Sequence, residues 1–276
     1  MTEQHGNSKM AMVRGVAQSM QSALRQDPSG LVLDVAKARD QHLAYTELLR
    51  RNLEQVIEID ADDNQPDCCF IEDTAIVHLG HFILCRMGAP ERRGETKGVR
   101  QAFEQIVART APLIFHCLEL PTALDGGDVL RLGRDLFVGL SKRSNAAAVD
   151  SLRAIFSPKG QVHAVPLSEG LHLKSVLTAI DDHTLVAADN NAGRLAAASV
   201  VAGLGPGGRI EVAYVPDALC ANVLRLPSTL VIQQGYPRSS VILRRLGEER
   251  QLDVTELDMS EFAKVDGALT CCSILF

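Results

Sequence analysis

Three short segments of this chain contain the residue types that an activated cysteine nucleophile needs. They are LDGGDV at 124–129, GLHLKS at 170–175 and DGALTCCS at 266–273. In such a site an acid orients a histidine, and a neighbouring cation lowers the pKa of the thiol so that the reactive thiolate forms. The residue types alone are a weak signal, because a cysteine beside a strand is more often a small core residue.

Two other motifs are better explained by structure than by chemistry. Gly203, Gly205 and Gly208 have the spacing of a dinucleotide-binding loop, but a predicted helix precedes them and a predicted strand follows, which is the reverse of the required order. We therefore interpret them as the C-terminal turn of a helix. His78 and His81 flank a predicted hairpin turn with no evident third ligand, so we interpret them as a surface pair rather than a metal site.

The elements that must position the three segments are short helices and hairpins. Helical periodicity is clearest from Asp34 to Leu53, where Asp34 can cap the first turn. Short apolar runs interrupted by Gly, Pro, Asp or Ser predict four β-hairpins. The other predicted helices are 99–109, 146–156, 191–204 and 259–264; the hairpins pair 74–78 with 81–86, 128–132 with 136–140, 172–180 with 184–188, and 222–226 with 230–233.

The hairpins recur along the chain with a nearly constant period. They begin near residues 74, 128, 172 and 222, and a last strand-like run begins near 270, which gives steps of 54, 44, 50 and 48 residues. Each unit combines a hairpin, a helix and a further strand, such as 162–166 or 210–215. One such unit cannot bury its own apolar face, so we predict an α/β ring of five ββαβ repeats that brings the three segments to a common axis.

Composition limits the class of protein. The chain has 276 residues, is 46% hydrophobic and carries a formal net charge of -6, which excludes disordered and fibrous classes and disfavours nucleic acid as a partner. We expect one domain over 1–276, with 1–11 as a disordered tail, because no linker or charge block divides the sequence.

Cysteine usage and hydropathy indicate the expected compartment. The seven cysteines include no C-x-x-C pair, so neither a disulfide framework nor a zinc ribbon is predicted. The longest weakly polar run, 195–205, is about half the length of a membrane helix, and the first residues lack a signal pattern. We expect a cytoplasmic protein without a membrane partner.

Five separated motifs, in the right order, closely resemble the dimethylarginine dimethylaminohydrolase family. The resemblance extends from about Met12 to the last residue. It implies the five-bladed αβ propeller of the penteins, whose members modify guanidino groups, in agreement with the repeat described above. The motifs are PDCCFIEDTAIV at 66–77, LDGGDVL at 124–130, FVGLSKRSN at 137–145, GLHLKS at 170–175 and KVDGALTCCS at 264–273.

The resemblance also implies a catalytic group. Cys271, two residues before Ser273, corresponds to the nucleophile, and Cys272 then points to the other side of the strand. His172 corresponds to the general acid and base. Asp125 corresponds to the acid that orients His172, although relatives often have Glu there, which leaves the reach of the shorter side chain in question.

Substrate contacts follow from the same resemblance. Glu72 and Asp73 would bind the guanidinium, and the carboxylate of Asp67 with the main-chain carbonyls of Leu24 and Val265 would bind the α-amino group. Arg92 and Arg143 would bind the α-carboxylate, although the residues alone would equally allow solvated surface arginines. Leu24 lies in the stretch 16–27, which by family analogy is a lid over the ligand.

The implied reaction converts asymmetric dimethylarginine or monomethylarginine to L-citrulline. It proceeds through a covalent thiouronium intermediate on Cys271 and releases dimethylamine or methylamine. No cofactor is required, but Cys271 and His172 could bind an inhibitory zinc ion. In a host that makes nitric oxide, the reaction would relieve inhibition of nitric oxide synthase. We expect a monomer or weak homo-oligomer that binds a small-molecule substrate.

Two alternative functions are considered. Arginine deiminases and amidinotransferases share the same cysteine chemistry, but deiminases tend to carry H-x-D, whereas His172 is followed by Leu173 and Lys174. A pentein that only binds ligands would be expected to lack one of the catalytic residues, and none is lacking.

Overall fold

The computed structural model describes residues 8–26, 31–107, 112–205 and 208–276. These residues form short strands and helices that alternate along the chain. The strands are β1 (Met10–Arg14), β2 (Gln55–Ile59), β3 (Ala75–His78), β4 (His81–Leu84), β5 (Ile114–Cys117), β6 (Val129–Leu132), β7 (Asp135–Leu140), β8 (Val162–Pro166), β9 (Leu177–Asp181), β10 (Thr184–Ala188), β11 (Glu211–Val215), β12 (Leu224–Arg225), β13 (Thr229–Gln233), β14 (Asp253–Leu257) and β15 (Ile274–Leu275). The helices are α1 (Val35–Asn52), α2 (Thr96–Ala102), α3 (Ala146–Phe156), α4 (Asn191–Gly203), α5 (Pro237–Glu249) and α6 (Ser260–Ala263).

The strands form five sheets of three strands each. In every sheet the first two strands pair antiparallel and the third pairs parallel with the second, for example β6 with β7 and β7 with β8. A helix connects the two parallel strands of each sheet, because a parallel pair needs a crossover. This is the predicted ββαβ repeat, and it is confirmed in all five units.

The predicted elements agree closely with the observed ones. Helix α3 has the predicted bounds, and Asp34 caps α1 by accepting a hydrogen bond from Lys37 N at 3.0 Å. Helix α4 ends before Gly205, whose φ of +71° confirms a helix C-terminal turn. The predicted helix at 99–109 begins at Thr96 and continues as a π-helix to Val107; its last two residues lie outside the described residues.

The helices that connect parallel strands pack between neighbouring sheets. Helix α3 buries Leu152 and Phe156 against Ile83 of one sheet and Leu136 of the next. In the same way, helix α5 packs against β13 of its own sheet and against β9 and β10 of the preceding sheet. Because each helix needs both sheets to cover its apolar face, a single unit could not hold its fold alone.

The two ends of the chain together complete the fifth sheet. Strand β15 pairs antiparallel with β1, and β1 pairs parallel with β2. Lys9 N and Met10 N both donate to Phe276 O, at 2.9 and 2.7 Å. Met10 and Ala11, which were expected in a disordered tail, therefore lie in an ordered strand; residues 1–7 of that predicted tail lie outside the described residues.

His78 and His81 are buried, so their interpretation as a surface pair is wrong. Both imidazoles pack against the ring of Phe156, with centroids 5.2 and 5.4 Å away, because the end of α3 covers this hairpin turn. His81 Nδ1 also lies 2.9 Å from His116 Nε2 on β5.

Within the described residues, no helix is long and apolar enough to cross a membrane.

Candidate active site

A short 3₁₀ turn precedes the first strand of every sheet. The turns are Ile71–Thr74, Gly126–Asp128, Leu173–Ser175, Ala218–Ala221 and Thr270–Cys272. They meet at one end of the ring, where neighbouring turns contact one another. One end of the ring therefore brings together the predicted segments, as the repeat indicated: the acids of IEDT, LDGGDV, GLHLKS and the terminal cysteines.

The turns enclose a pocket of about 330 Å³. Cys271 and His172 both line it, together with Glu72, Gly127 and Lys174. Cys271 is partly exposed, whereas the neighbouring Cys272 is fully buried and its Sγ contacts Ala268 O at 3.8 Å. The structure thus places Cys271, and not Cys272, in the pocket.

The histidine is fixed by two carboxylates. His172 Nε2 lies 3.0 Å from Asp125 Oδ2, so the shorter acid reaches the imidazole without a glutamate. Nδ1 lies 3.8 Å from Asp73 Oδ1. Burial alone would lower the pKa of His172, but Asp73 and Asp125 outweigh it and raise the pKa to about 9. The imidazole is therefore protonated at neutral pH.

The thiol of Cys271 lies among negative charges. Burial, Glu72 and Asp73 together raise its pKa to about 12 in the pocket as it stands. The cysteine is consequently a neutral thiol at neutral pH until a positive charge enters the pocket. A ligand cation placed beside the two acids would reverse the main electrostatic cause of the raised pKa.

Asp73 is held by an arginine and by the backbone. Its Oδ2 accepts from Arg92 Nη1 at 2.7 Å, and its Oδ1 accepts from Gly127 N at 2.9 Å. Although burial would raise the pKa of Asp73, His172 and Arg92 lower it to about 2. This acid is therefore charged throughout the physiological range of pH.

Arg92 is deeply buried, and most of its donors are occupied. Besides Asp73 it binds both carboxylate oxygens of Glu95 at 2.9 Å and the carbonyl oxygen of Phe70 at 3.1 Å. These contacts use four of the five guanidinium N–H groups. The guanidinium of Arg92 therefore has little capacity left to bind a substrate carboxylate, the role that the resemblance had implied. The geometry instead makes Arg92 the counter-ion of Asp73.

Arg143 is better placed to meet a ligand. Its side chain is 16% exposed, and Nη1 lies 3.5 Å from Asp125 Oδ2. No other ion pair of Arg143 is formed within the described ranges. Its guanidinium therefore keeps free donors close to Asp125 and His172.

An ion pair forms the floor of the pocket. Lys174 Nζ lies 2.5 Å from Glu72 Oε1, and the hydroxyl of Thr270 donates to Glu72 Oε2 at 2.8 Å. Asn222, just after the fourth turn, donates to Thr270 Oγ1 and accepts from Thr270 N, both at 2.9 Å. The turn that carries Cys271 is thereby tied to the turn that carries Glu72.

The predicted lid stretch contacts two acids, Asp67 and Asp266, of which Asp266 lines the pocket. Leu24 N donates to both oxygens of Asp67 at 3.1 and 3.2 Å, and Gln26 N donates to Asp266 Oδ2 at 2.6 Å. Asp67 is buried, which raises the pKa of its carboxyl. Val265 is buried next to Asp266. Asp27, the end of the stretch, lies outside the described residues, and closure over a ligand stays a prediction.

Sequence reasoning gave no role to several residues of the site. Lys174 and Asp266 lay inside quoted motifs, and Asn222 occupies the position after the fourth turn that a systematic comparison of the repeats would have indicated. Asp128, the second acid of LDGGDV, accepts from the hydroxyls of Ser141 and Ser144, both at 2.6 Å. Its partners could not be inferred from spacing, since they come from a different strand end.

Among the described residues, one group of potential metal ligands is close enough to share an ion. Ligand atoms of Asp73, Asp125 and His172 lie within 4.8 Å of one another. This group does not include Cys271, so inhibitory zinc between Cys271 and His172 stays a prediction.

Comparisons with known proteins agree with this geometry. The family described as "N,N dimethylarginine dimethylhydrolase, eukaryotic" matches residues 20–227. A dimethylarginine dimethylaminohydrolase of Streptomyces coelicolor is 36% identical over 97% of this chain and 96% of its own length. That of Pseudomonas aeruginosa is 29% identical over 88% of this chain and 90% of its own length.

Solved structures have the same fold. A mutant of the Pseudomonas aeruginosa enzyme complexed with citrulline has a TM-score of 0.82 and 27% identity, covering 98% of this chain and 99% of that one. A dimethylarginine dimethylaminohydrolase adduct with S-methyl-L-thiocitrulline has a TM-score of 0.83 and 28% identity, covering 98% and 100%. The N-terminal domain of ArgZ, a cyanobacterial arginine dihydrolase, shares the fold at 17% identity and a TM-score of 0.77, covering 96% of this chain and 97% of that one.

Proposed function

This chain belongs to the dimethylarginine dimethylaminohydrolase family, and from that membership we propose that it hydrolyses Nω-methylated L-arginines to L-citrulline and dimethylamine or methylamine. The observation that supports the proposal best is the pocket in which Cys271 and His172 face Glu72, with Asp125 and Asp73 on the two imidazole nitrogens. Such a pocket fits a planar cation that is attacked by a thiolate.

The charges of the pocket favour a guanidinium ligand. Glu72 and Asp73 supply two carboxylates, and each carboxylate oxygen can accept a further hydrogen bond beyond those it already makes. A guanidinium bound to both would be held with its carbon facing Cys271. Fixing the reactants in this way can contribute about 7 to 11 kcal/mol to lowering the barrier in well-oriented systems.

The amino acid end of the substrate would lie toward the predicted lid. In this arrangement Asp67 and the carbonyl oxygens of Leu24 and Val265 bind the α-amino group. Arg143 binds the α-carboxylate, because its guanidinium keeps free donors. The donors of the buried Arg92, in contrast, are mostly in use within the protein. Arg92 supports the site by keeping Asp73 charged.

The first half of the reaction forms a covalent intermediate. The substrate cation lowers the pKa of Cys271, the thiol releases its proton to solvent water, and the resulting thiolate attacks the guanidinium carbon. The bond from that carbon to the methylated nitrogen then breaks, and protonated His172 donates its proton to the departing amine. Asp125 keeps the imidazole oriented throughout.

The second half releases the product. His172, now neutral, removes a proton from a water molecule that attacks the same carbon. The remaining hydroxyl proton of this adduct passes to the sulfur as the carbon–sulfur bond breaks, so Cys271 is released as the neutral thiol and L-citrulline departs with the oxygen of that water. The imidazolium formed in this step is ready for the next cycle. The residues need no cofactor for either half.

The test is citrulline release from asymmetric dimethylarginine, monomethylarginine and arginine, compared for wild type, Cys271→Ser and Cys117→Ser. We expect turnover of both methylated substrates, loss of it in Cys271→Ser, and normal activity in Cys117→Ser, because Cys117 is exposed outside the pocket. Turnover of arginine alone would make the protein a deiminase. No turnover of any of the three would indicate a pentein that only binds ligands.

A further inference from the structure

The fourth turn of the ring, Ala218–Ala221, is left without a role by the proposed reaction. The other four turns, or the residues that begin them, supply Glu72, Asp125, His172 and Cys271. The fourth turn nevertheless reaches the same pocket, because Leu219 and the residue that follows the turn, Asn222, both line it. Asn222 is only 1% exposed, so its amide must find hydrogen-bond partners inside the protein.

Three hydrogen bonds satisfy the Asn222 amide and fix its orientation. Its Oδ1 accepts from Thr270 N at 2.9 Å, and its Nδ2 donates to Lys174 O at 3.0 Å and to Thr270 Oγ1 at 2.9 Å. A backbone N–H can only donate and a carbonyl oxygen can only accept, so the amide has one allowed orientation. Asn222 therefore links the third turn, through Lys174, to the fifth turn, through Thr270.

The direction of these hydrogen bonds continues from Asn222 to Glu72. A hydroxyl group has a single proton, and because Thr270 Oγ1 accepts from Asn222 Nδ2, that proton donates to Glu72 Oε2 at 2.8 Å. Buried hydrogen bonds that run donor to acceptor in one chain strengthen one another. Asn222 thus orients the Thr270 hydroxyl toward the carboxylate.

The Glu72 carboxylate is held from two sides. Lys174 Nζ lies 2.5 Å from Oε1, and the Thr270 hydroxyl binds Oε2. An ionised carboxylate oxygen can accept two hydrogen bonds, so each oxygen of Glu72 keeps one acceptor site for a ligand. Without the Thr270 hydroxyl, the carboxylate could turn toward the Lys174 ammonium, and the two remaining acceptor sites would lose their alignment with a planar guanidinium.

We propose that Asn222 is a positioning residue that aligns Glu72 and Cys271 for the substrate guanidinium. It acts on Glu72 through the Thr270 hydroxyl, and on Cys271 through the backbone N–H of the preceding residue, Thr270. This inference rests on the proposed function, because it gives the fourth turn a part in the same site.

Steady-state kinetics with asymmetric dimethylarginine test the proposal. The variants are Asn222→Ala, Thr270→Val, the double variant of these two, Thr270→Ser and Asn191→Ala. Thr270→Val removes the hydroxyl and nearly keeps the shape of the side chain, whereas Thr270→Ser keeps the hydroxyl. Asn191→Ala is the matched control, because Asn191 is exposed at the start of α4. Circular dichroism melting confirms that each variant is folded.

We expect Thr270→Val to raise KM about tenfold with little change in kcat, because it removes one hydrogen bond to the carboxylate that binds the guanidinium. Asn222→Ala should raise KM similarly and also lower kcat about tenfold, since it releases the backbone before Cys271. The double variant should have the KM of Asn222→Ala, because both changes break the same chain of hydrogen bonds. Thr270→Ser should restore KM to within about threefold of wild type.

Three results would overturn the proposal. The first is an unchanged KM in Thr270→Val, and the second is a double variant in which the two KM effects multiply. The third is a Thr270→Ser variant as impaired as Thr270→Val, because the methyl group and not the hydroxyl would then matter. In each case Asn222 would support the fold without aligning Glu72.

Failure of the proposed function has a different signature, since wild type would then release no citrulline from any methylated arginine. Calorimetric binding of monomethylarginine to Cys271→Ser, which needs no turnover, then decides the role of Asn222. Affinity about tenfold weaker after adding Asn222→Ala or Thr270→Val would support the alignment of Glu72. Unchanged affinity, or no binding by Cys271→Ser itself, would overturn it.

Discussion

The Cys271 thiol and the His172 imidazole both have pKa values above their ordinary values. Burial, together with Glu72 and Asp73, raises the pKa of Cys271 to about 12. Burial would lower the pKa of His172, but Asp73 and Asp125 outweigh it and raise the pKa to about 9. At neutral pH the pair is therefore a neutral thiol and an imidazolium, rather than a preformed thiolate. Bound substrate cation must supply the charge that makes the thiolate, which couples activation of the nucleophile to binding.

Alkylation of the unliganded protein measures this directly. We expect the iodoacetamide labelling rate of Cys271 to rise about tenfold per pH unit from pH 7 to 9, without a plateau, because only the thiolate reacts. Peptide mass spectrometry would follow the modification, with exposed Cys117 as an internal control for the reagent. A labelling rate that is already constant near pH 7 would contradict a raised thiol pKa.

The pH dependence of turnover reports a different state of the same pair. We expect kcat to fall as pH rises through a value below 9, where protonated His172 loses the proton that the leaving amine needs, because a bound cation lowers the pKa of about 9 that His172 has in the unliganded site. Well below that pH, His172 is fully protonated. Initial rates of citrulline release at saturating substrate would show this limb. A flat profile from about pH 6 to 9 in kcat/KM would count against a titrating cysteine and histidine.

Asp128 is a positioning residue that acts through its neighbours. Its Oδ1 accepts from Leu173 N at 2.9 Å, immediately after His172, and its Oδ2 accepts from the Ser144 hydroxyl. Ser144 Oγ in turn accepts from Asp125 N at 3.1 Å. One buried carboxylate thus fixes the backbone on both sides of the Asp125 to His172 hydrogen bond.

Replacing this carboxylate should change the pH profile as well as the rate. Asp128→Asn should lower kcat by about ten- to a hundredfold through small misplacement of the imidazole. It should also move the alkaline limb to lower pH, because Asp128 raises the pKa of His172. The exposed Asp150→Asn is the matched control. Reduced kcat with an unmoved limb would indicate a purely structural role.

The sequence was sufficient for the residues that we propose to carry the reaction but not for those that support them. Cys271, His172 and Asp125 lie in motifs of recognisable order, and the structure brings them to one end of the ring. Arg92 has the type of a carboxylate ligand, yet its burial beside Asp73 and Glu95 could not be inferred from type or spacing. Long-range partners of this kind are determined by packing.

Among the elements, the turn at Gly126–Asp128 has the least room to vary. A Cβ on Gly126 would lie 2.1 Å from Glu72 O, and a Cβ on Gly127 would lie 2.7 Å from both Asp73 Oδ1 and His172 Nδ1. Both glycines therefore allow close contact between neighbouring turns. The double glycine of LDGGDV is a packing requirement of the site, not a source of loop flexibility.

Gly127→Ala should damage the site without unfolding the ring. The added methyl would push Asp73 and His172 apart, and we expect kcat/KM to fall on the order of a hundredfold or more. Gly98→Ala is a matched control, since its Cβ would meet the guanidinium of Arg14, at 3.3 Å, and neither Asp73 nor His172. Steady-state kinetics with circular dichroism melting would separate the two effects. Equal activity in both variants would show that the turns can move apart freely.

Element prediction failed where burial is carried by small residues. Helix α5 was not predicted, because its sequence buries only Leu243 and Leu246 among large apolar residues and otherwise packs Ser239, Ser240 and Gly247. The third hairpin was predicted from His172, whereas β9 begins at Leu177 because residues 173–175 form the 3₁₀ turn. In both cases tertiary packing overrode the local pattern.

The whole molecule is closed by strand pairing inside one sheet. Because β15 and β1 come from opposite ends of the chain, the fifth sheet forms only when the rest of the ring is in place. Cys271 lies three residues before β15, so ring closure also holds this proposed nucleophile in position. The sequence predicted five repeats but not that one of them is divided between the two ends, since β1 and β2 carry no recognisable hairpin signal.

A circular permutant tests whether closure requires pairing or a particular chain order. Joining Phe276 to Lys9 through a short linker and opening the chain between exposed Gln234 and Gly235 leaves every site residue in place. Closure then depends on β13 pairing with β14, which is again pairing inside one sheet. We expect this permutant to keep near wild-type kcat and to unfold cooperatively, as followed by circular dichroism.

Deleting residues 274–276 instead should lower the unfolding temperature sharply and abolish turnover, because it removes β15 and its buried Ile274. An inactive, unfolded permutant beside a stable deletion variant would show that chain order, and not strand pairing, holds the ring closed.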